Sequence, residues 1–211
     1  MMSSKRSWWV FPSIMLLGLL ADQILKFHIK LHFALGEEYV IFDWFRLVFV
    51  ENPGMAFGVT LGSKMILSSF RIIVAAFLVW YLIRLIKADF NFGFLVVMTC
   101  ILTGAIGNII DCVFYGSIFT ASDPATVATF ATSGNGYAQW MTGKVVDMFY
   151  FPLFSIPEWM PVVGGDIFFS PVFNIADSFI TVGIIWIIIG YRRAFNASFD
   201  AAGLNDKKNK R

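Results

Sequence analysis

Long apolar runs alternate with shorter mixed stretches along the whole chain. Four of these runs, at residues 8–27, 64–86, 92–115 and 171–191, have roughly the 20 residues that an α-helix needs to cross a bilayer. Residues 30–58 instead alternate β-branched or aromatic residues with polar ones, which is typical of short strands. The pattern predicts an α-helical membrane protein with four transmembrane helices and a small β-sheet at the membrane surface.

Three other stretches fit neither a transmembrane helix nor a strand. Residues 116–143 are rich in Ala, Ser, Thr and Gly and contain no Lys or Arg, which indicates a polar loop or a mobile lid. Residues 150–170 combine prolines with aromatic residues, as expected of a segment at the level of the lipid headgroups. Residues 193–211 predict a basic, disordered tail, so that residues 1–192 form a single membrane-embedded domain.

The composition supports this prediction and excludes several classes of protein. Of the 211 residues, 58% are hydrophobic and only 14% are charged, which excludes a water-soluble domain of this size. A net charge of +2 gives no reason to expect nucleic acid as a partner. Cys100 and Cys112 lie in one apolar run, and His28 and His32 have no third ligand nearby, so neither a disulfide framework nor a metal or other cofactor is predicted.

The basic residues predict how the chain is oriented in the membrane. In a four-helix arrangement they cluster on one side, which is the cytoplasmic side by the positive-inside rule. Both termini are then cytoplasmic, and the sheet and the two stretches at 116–143 and 150–170 are extracytoplasmic. The residues concerned are Lys5, Arg6, Arg84, Lys87, Arg192, Arg193 and the four basic residues of the tail.

Two of the apolar runs contain an aspartate three residues after an asparagine. An intramembrane carboxylate costs roughly 3 kcal/mol, so Asp177 requires a polar partner or a function. Asn174 precedes it on the same predicted helix face, and Asn108 precedes Asp111 at the same spacing. Both aspartates fall near the outer face of the membrane. From the residues alone, Asp111 and Asp177 would form one shared polar site.

Four further polar residues each have a simple structural interpretation. Asp22 and Lys26 are four residues apart, so they form either a helix-end ion pair, with Lys26 reaching the headgroups, or part of the polar site. Asn52 lies in an Asn-Pro-Gly turn that is sufficient to explain it. Asp147 falls between two loop-like stretches, where a solvated turn carboxylate is the simple interpretation.

Two carboxylates in one membrane site fit two kinds of chemistry. When two acids share a site, one retains its proton while the other acts as a base, which is the arrangement that aspartic proteases use to activate water. Buried aspartates and asparagines are equally natural in an ion or proton pathway. The residues alone therefore leave an aspartic hydrolase and an ion-coupled transporter or lipid-handling protein open.

Taken in order, five blocks of residues resemble those of bacterial lipoprotein signal peptidase, or signal peptidase II, an aspartic protease of the inner membrane. Each block is weak alone, but the ordered set is specific. The resemblance extends from the first apolar run to the fourth. The blocks are Asp22 with Lys26, Glu51-Asn52-Pro53-Gly54-Met55-Ala56-Phe57, Gly104-Ala105-Ile106-Gly107-Asn108-Ile109-Ile110-Asp111, Val145-Val146-Asp147-Met148, and Phe173-Asn174-Ile175-Ala176-Asp177-Ser178.

The resemblance implies a different catalytic pair from the one that the residues alone suggest. In the family, the catalytic aspartates belong to the Val-Val-Asp block and to the Phe-Asn-x-Ala-Asp block, which places them at Asp147 and Asp177. The remaining polar and small positions of the blocks are implied to support the pair or to bind substrate. These are Asn52, Gly54, Asn108, Asp111, Asn174, Ala176, Asp22 and Lys26.

The resemblance also implies the substrate and the location. The family cleaves diacylglyceryl-modified prolipoproteins just before the lipidated cysteine, at the outer leaflet of the bacterial inner membrane. We therefore expect lipoprotein precursors and membrane lipid as partners, and a monomeric enzyme. Aspartates clustered at one face count against a transporter, whose sites usually lie at the midplane between repeated halves. The GxGD motif of presenilin-like proteases is absent from the sequence.

The sequence departs from the family pattern at three places. Cys112 stands where an arginine usually follows the aspartate, so the ion pair to Asp111 must be missing or supplied by another residue. Met55 replaces a common alanine. Asp111 and Asp147 are 36 positions apart, much more than in the family, and the stretch before Asp177 is also expanded. We hypothesise that these insertions form a lid over the entrance for the substrate.

Overall fold

The computed structural model describes residues 4–54, 64–132, 134–162 and 164–204. A short π-helix, Asp111–Tyr115, separates the third and fourth α-helices. The α-helices are α1 (Ser4–His32), α2 (Lys64–Lys87), α3 (Phe92–Ile110), α4 (Gly116–Ile118), α5 (Ile175–Gly190) and α6 (Arg192–Ala201). The strands are β1 (Glu38–Phe42), β2 (Phe45–Asn52), β3 (Val145–Tyr150), β4 (Phe154–Ser155) and β5 (Ile167–Phe168).

Three helical stretches in the described part of the chain are long and apolar enough to cross a membrane. They are Trp8–His32, Lys64–Lys87 and Phe92–Ile118. A fourth crossing is present if α5 and α6, which bend by 96° at Tyr191, count as one span. The predicted helical membrane fold is confirmed. The first helix extends beyond its predicted end at residue 27 as far as His32.

The fourth span differs from its prediction at both ends. Helix α5 has 16 residues and a length of about 24 Å, because the chain is not yet helical at Pro171. Phe173 instead forms a β-bridge with Phe149, which keeps the residues before Ile175 extended. At the other end, the predicted disorder of the tail is wrong for Arg192–Ala201, which forms an amphipathic helix with Ser198 buried. Residues 205–211 lie outside the described residues.

The main sheet has three antiparallel strands in the order β1-β2-β3. Two strands were correctly predicted within residues 30–58, although residues 30–32 are helical and residues 55–58 are not described. The third strand contains Asp147, opposite Val50 of β2. The interpretation of Asp147 as a solvated loop carboxylate is therefore wrong, since this residue lies in a sheet and is only 2% exposed.

The two inserted stretches have different characters. Residues 116–143 are mostly irregular, but a β-bridge joins Phe119 to Phe130, and Phe119 is fully buried. Between β4 and β5 the chain forms an exposed tip in which Trp159 is 80% exposed. The position of this tip at the level of the lipid headgroups stays a prediction.

The contacts divide the chain into two compact units. Unit one contains Met1–Asp22, Ser69–Ile109 and Ile175–Arg211, and unit two contains Gln23–Ser68 and Ile110–Asn174. Each unit has its own apolar core. The core of unit one includes Phe11, Tyr81, Leu85, Phe94, Leu95, Met98 and Leu102, and that of unit two includes Ile29, Phe49, Tyr115, Phe119, Val146 and Met148.

Candidate active site

In unit one, an asparagine of α3 holds the aspartate of α5. Asn108 Nδ2 donates a hydrogen bond of 2.7 Å to Asp177 Oδ1. The two side chains line a cavity of about 280 Å³ together with Arg71 of α2. A carboxylate, an amide and a guanidinium thus share one cavity between membrane-spanning helices, a setting in which polar groups usually have a function.

Asp22 of α1 is bound to the start of the same helix. Its Oδ1 atom accepts the backbone N–H of Ala176 at 2.9 Å, and its side chain is almost fully buried. A carboxylate at a helix N-terminus is favoured because it satisfies an otherwise unpaired N–H and interacts with the helix dipole. Asp22 therefore fixes the first turn of α5, where Asp177 lies.

Small residues allow these helices to approach closely. A Cβ atom added to Gly107 would lie 2.8 Å from Asp22 Oδ2, and one added to Gly104 would collide with the carbonyl oxygen of Ala176. These two glycines therefore permit close helix packing. The Gly-x-x-Gly spacing of α3 thus makes room for the buried carboxylate and for the start of α5.

In unit two, an asparagine just before α5 holds the aspartate of β3. Asn174 Nδ2 donates to Asp147 Oδ1 at 2.6 Å and to the carbonyl oxygen of Val146 at 3.2 Å. Two backbone hydrogen bonds between Phe149 and Phe173, of 2.7 and 3.1 Å, keep Asn174 beside the strand. Asn174 was predicted to lie on the same helix face as Asp177, but it precedes α5, and its amide donates to Asp147.

The Asn-Pro-Gly turn ends strand β2 as predicted. Asn52 Oδ1 accepts the N–H of Gly54 at 2.9 Å, and Gly54 has the positive φ of 89° that a glycine tolerates best. This hydrogen bond and the conformation of Gly54 are sufficient to explain the turn. Val145 of β3 lies opposite Asn52, two positions from Asp147.

Asp111 is the centre of a buried network in unit two. Its Oδ2 atom forms an ion pair of 2.9 Å with Lys26 Nζ and accepts the N–H of Val146 at 3.2 Å, while Oδ1 accepts Gln23 Nε2 at 3.1 Å. Lys26 and Asp111 have no exposed side-chain surface. Lys26 therefore does not reach the headgroups. It supplies the cation that the cysteine at position 112 cannot provide.

The π-helix gives the first insertion a place to dock. The carbonyl oxygens of Cys112 and Val113 accept N–H groups from Gly143 and Met141, at 2.9 and 3.1 Å. A side chain at Gly143 would collide with the carbonyl oxygen of Asp111. The wider turn of a π-helix leaves such carbonyls available to a neighbouring segment, and here they fix the chain just before β3.

The sequence analysis did not single out Arg71 or a group of three charged residues around Glu51. Arg71 is the one charged residue between Lys64 and Arg84, a signal that was visible in the sequence. The group joins Glu51 to Lys30 and Lys144, which are far apart along the chain. Burial alone would raise the pKa of Glu51, but hydrogen bonds from Lys144 and Lys30 and the charges of both lysines hold it below its ordinary value.

No group of three or more His, Cys, Asp or Glu residues suited to a metal ion is found among the described residues. The rings of His28 and His32 stack with their centroids 4.5 Å apart, and His32 Nδ1 lies 2.9 Å from the carbonyl oxygen of His28.

Comparison with known proteins decides between the protease and the transporter. A family model described as signal peptidase (SPase) II matches residues 14–192, which include every candidate site residue. The chain belongs to the signal peptidase II family. It is therefore a protease of signal peptides, and its helices and family together fit a protein of the bacterial inner membrane.

Two named relatives align with most of the chain. The lipoprotein signal peptidase of Porphyromonas gingivalis is 44% identical over 196 residues, which are 90% of this chain and 86% of that protein. The lipoprotein signal peptidase of Amoebophilus asiaticus is 34% identical over 194 residues, 87% of this chain and 78% of that protein. The signal peptidase II resemblance seen in the five sequence blocks is thus confirmed.

Solved structures share the fold. One bacterial membrane enzyme, determined by the in meso method at 1.9 Å resolution, aligns with a TM-score of 0.57 and 26% identity over 85% of this chain and 90% of that one. Another, determined at 2.3 Å, aligns with a TM-score of 0.58 and 23% identity over 96% and 93% of the two chains. This member of the signal peptidase II family therefore shares its helical membrane fold, with the small antiparallel sheet, with these two enzymes.

Proposed function

We propose that the chain removes signal peptides from diacylglyceryl-modified prolipoproteins, by cleavage before the lipidated cysteine, with Asp147 and Asp177 as the catalytic pair. The family match, which includes both aspartates, carries this proposal. The named relatives are lipoprotein signal peptidases, which supports lipoprotein precursors as the substrate class.

The immediate surroundings of the two aspartates support their assignment. Each has its Oδ1 atom held by an asparagine amide, Asn174 for Asp147 and Asn108 for Asp177. An amide that donates to one carboxylate oxygen fixes the plane of the group and hence the direction of the second oxygen. Catalysis by a carboxylate pair requires such fixed directions, since both second oxygens must address one water molecule.

The proposed reaction is hydrolysis of a peptide bond by water. One aspartate, as a carboxylate, removes a proton from water while the hydroxyl oxygen attacks the scissile carbonyl carbon. The other aspartate, protonated, donates its proton to the carbonyl oxygen as the tetrahedral intermediate forms. The first aspartate then returns its proton to the leaving amine, the C–N bond breaks, and the second aspartate recovers its own.

The remaining family residues would support this pair. Asp111 and Lys26 hold β3 through the N–H of Val146, and Asp22 holds the start of α5 through Ala176. We place the pair near the extracytoplasmic face and both termini in the cytoplasm, as the basic residues of the sequence predict. That the enzyme acts as a monomer and that the insertions form a lid stay predictions.

The test is cleavage of a diacylglyceryl-modified prolipoprotein by the purified protein and by D147N and D177N. Asparagine keeps the size of aspartate but cannot transfer the proton, so we expect both variants to fold and to be inactive. D89N, which changes an exposed aspartate in the connection between α2 and α3, is the matched control and should cleave like the wild type. An inert wild type or an active D177N would contradict the proposal.

A further inference from the structure

A buried ion cluster joins four parts of unit two. Glu51 of β2 forms ion pairs with Lys30 of α1 and with Lys144, at 2.6 Å for the second. Ser122 of the first insertion accepts a hydrogen bond from Lys30 Nζ at 2.7 Å and donates one to Glu51 Oε1 at 3.2 Å. Tyr137 of the same insertion accepts the N–H of Lys144 at 2.8 Å. We call these five residues the Glu51 cluster.

The cluster depends on a single carboxylate. Lys30 has no exposed side-chain surface and Glu51 has 4%, whereas Lys144 retains 33%. Two ammonium groups therefore share one anion, with further support from the Tyr137 ring, whose centroid lies 4.7 and 5.7 Å from the two Nζ atoms. A buried ion pair contributes little net stability, because the loss of hydration offsets the attraction between the charges. The presence of these buried charges therefore needs another explanation.

A reason for burying these charges is visible in the path of the chain. Lys144 directly precedes β3, and Glu51 lies opposite Val146 in the sheet, next to the pair formed by Val50 and Asp147. The cluster thus fixes the first residues of the strand that contains Asp147. Side-chain contacts thus link the cluster to this strand, in addition to the backbone hydrogen bonds between β2 and β3.

Helix α1 holds this strand by two lysines on one face. Lys26 and Lys30 are four residues apart and therefore project from the same side of the helix. Lys26 binds Asp111, which accepts the N–H of Val146, and Lys30 binds Glu51, which in turn binds Lys144. Two parallel chains of charged contacts lead from α1 to the start of β3.

We propose that the Glu51 cluster is a positioning element for catalysis, with Glu51 as the residue that sets β3 and therefore the carboxylate of Asp147. The inference rests on the proposed function of Asp147. Because Ser122 and Tyr137 belong to the first insertion, the cluster also ties that insertion to the strand. The insertion therefore contributes to the geometry of Asp147, in addition to any role at the entrance of the site.

The test compares E51Q with a charge-free triple variant and with a control. In E51Q we expect kcat per folded molecule to fall roughly ten- to hundredfold, since a small misplacement of a catalytic group has effects of that size. KM should change by less than about twofold, because a misplaced catalytic group weakens an interaction that is made in the transition state. The control E38Q removes the exposed ion pair between Glu38 and Arg46 on the same sheet and should leave both constants unchanged.

The triple variant K30M/E51Q/K144M separates positioning from folding. It removes all three charges of the cluster together, so it should unfold at a temperature closer to that of the wild type than E51Q does. Its kcat should nevertheless stay low, because the links from α1 and β2 to β3 are absent. Wild-type kcat per folded molecule in E51Q, or recovery of kcat in the triple variant, would overturn the inference.

The failure of this inference and that of the proposed function are distinguishable. If D147N cleaves normally, the proposed catalytic pair is wrong, whatever E51Q does. If D147N is inactive while E51Q has the wild-type kcat, the catalytic pair stands and the Glu51 cluster has only a structural role.

Discussion

A hydrogen bond from an asparagine amide to an aspartate Oδ1 is found in both units, but the elements that carry the two residues differ. In unit one, Asn108 and Asp177 both lie on apolar helices, and α1 contributes Asp22 as a cap for the helix of Asp177. In unit two, Asp147 lies on a strand and Asn174 on the extended segment that pairs with it. A helix positions its side chains by its own backbone hydrogen bonds, whereas a short strand depends on neighbours.

The difference explains where the buried charges lie. Strand β3 is six residues long and is held at its start by the ion pair of Lys26 with Asp111 and by the Glu51 cluster. Helix α5 is held by one carboxylate at its first turn and by close packing at Gly104 and Gly107. We infer that the strand-borne aspartate is more sensitive to changes in its surroundings than the helix-borne one.

The largest effect on stability should follow from removing the ammonium group of Lys26. K26M removes the ammonium group that pairs with the fully buried Asp111, and breaking a buried pair in this way costs about 3–5 kcal/mol. The measurement is the midpoint of unfolding in detergent micelles. K87M, at the exposed end of α2, is the control and should unfold like the wild type. A loss in K26M no larger than in the control would show that Asp111 is not held by this pair.

The two asparagines provide a direct comparison of the two supports. N174A removes donors to both Asp147 and the carbonyl of Val146, and we expect kcat to fall roughly a hundredfold. N108A removes one donor to Asp177, whose direction is also set by its helix, and the loss should be roughly tenfold. Steady-state cleavage rates measure both. A larger loss in N108A would reverse the ranking of the two supports.

The smallest effect concerns acid stability and arises from Glu51. Its pKa is lower in the folded protein than its ordinary value of about 4.5, because Lys144 and Lys30 more than offset the effect of burial. The stabilising contribution is therefore complete above the ordinary value and is lost as the pH falls through the lower, folded value. Melting temperatures from neutral pH into this acid range should fall more steeply for the wild type than for E51Q. An equal fall in melting temperature for the wild type and E51Q would contradict this role of Glu51.

Much of unit one could be predicted from the sequence, because its elements depend on local signals. Apolar runs of the right length indicated α2 and α3, and the cost of an intramembrane charge singled out Asp177. The start of α5 was misplaced, since the backbone pairing of Phe173 with Phe149 is a contact that spacing does not reveal. Helix α6 was missed because a run of basic and polar residues reads as a solvated tail.

Unit two was harder to predict because its key contacts are distant in sequence. Strand β3 pairs with β2 about a hundred positions earlier, which hid the burial of Asp147. Lys26 forms an ion pair with Asp111, which the local spacing between Lys26 and Asp22 did not indicate. The turn at Asn52 was predicted because its chemistry is complete within three residues. Local chemistry was thus predictable, and the buried ionic links that hold the strand were not.

The central claim is that Asp147 and Asp177 act as one catalytic unit, and the most direct measurement is a double-mutant cycle. Prolipoprotein cleavage would be measured for the wild type, D147N, D177N and the double variant. If the two act together, each single variant loses roughly 10³- to 10⁴-fold in rate, and the double variant is no slower than either. Near-normal cleavage by D147N would contradict the claim and would make Asp111 the candidate partner of Asp177.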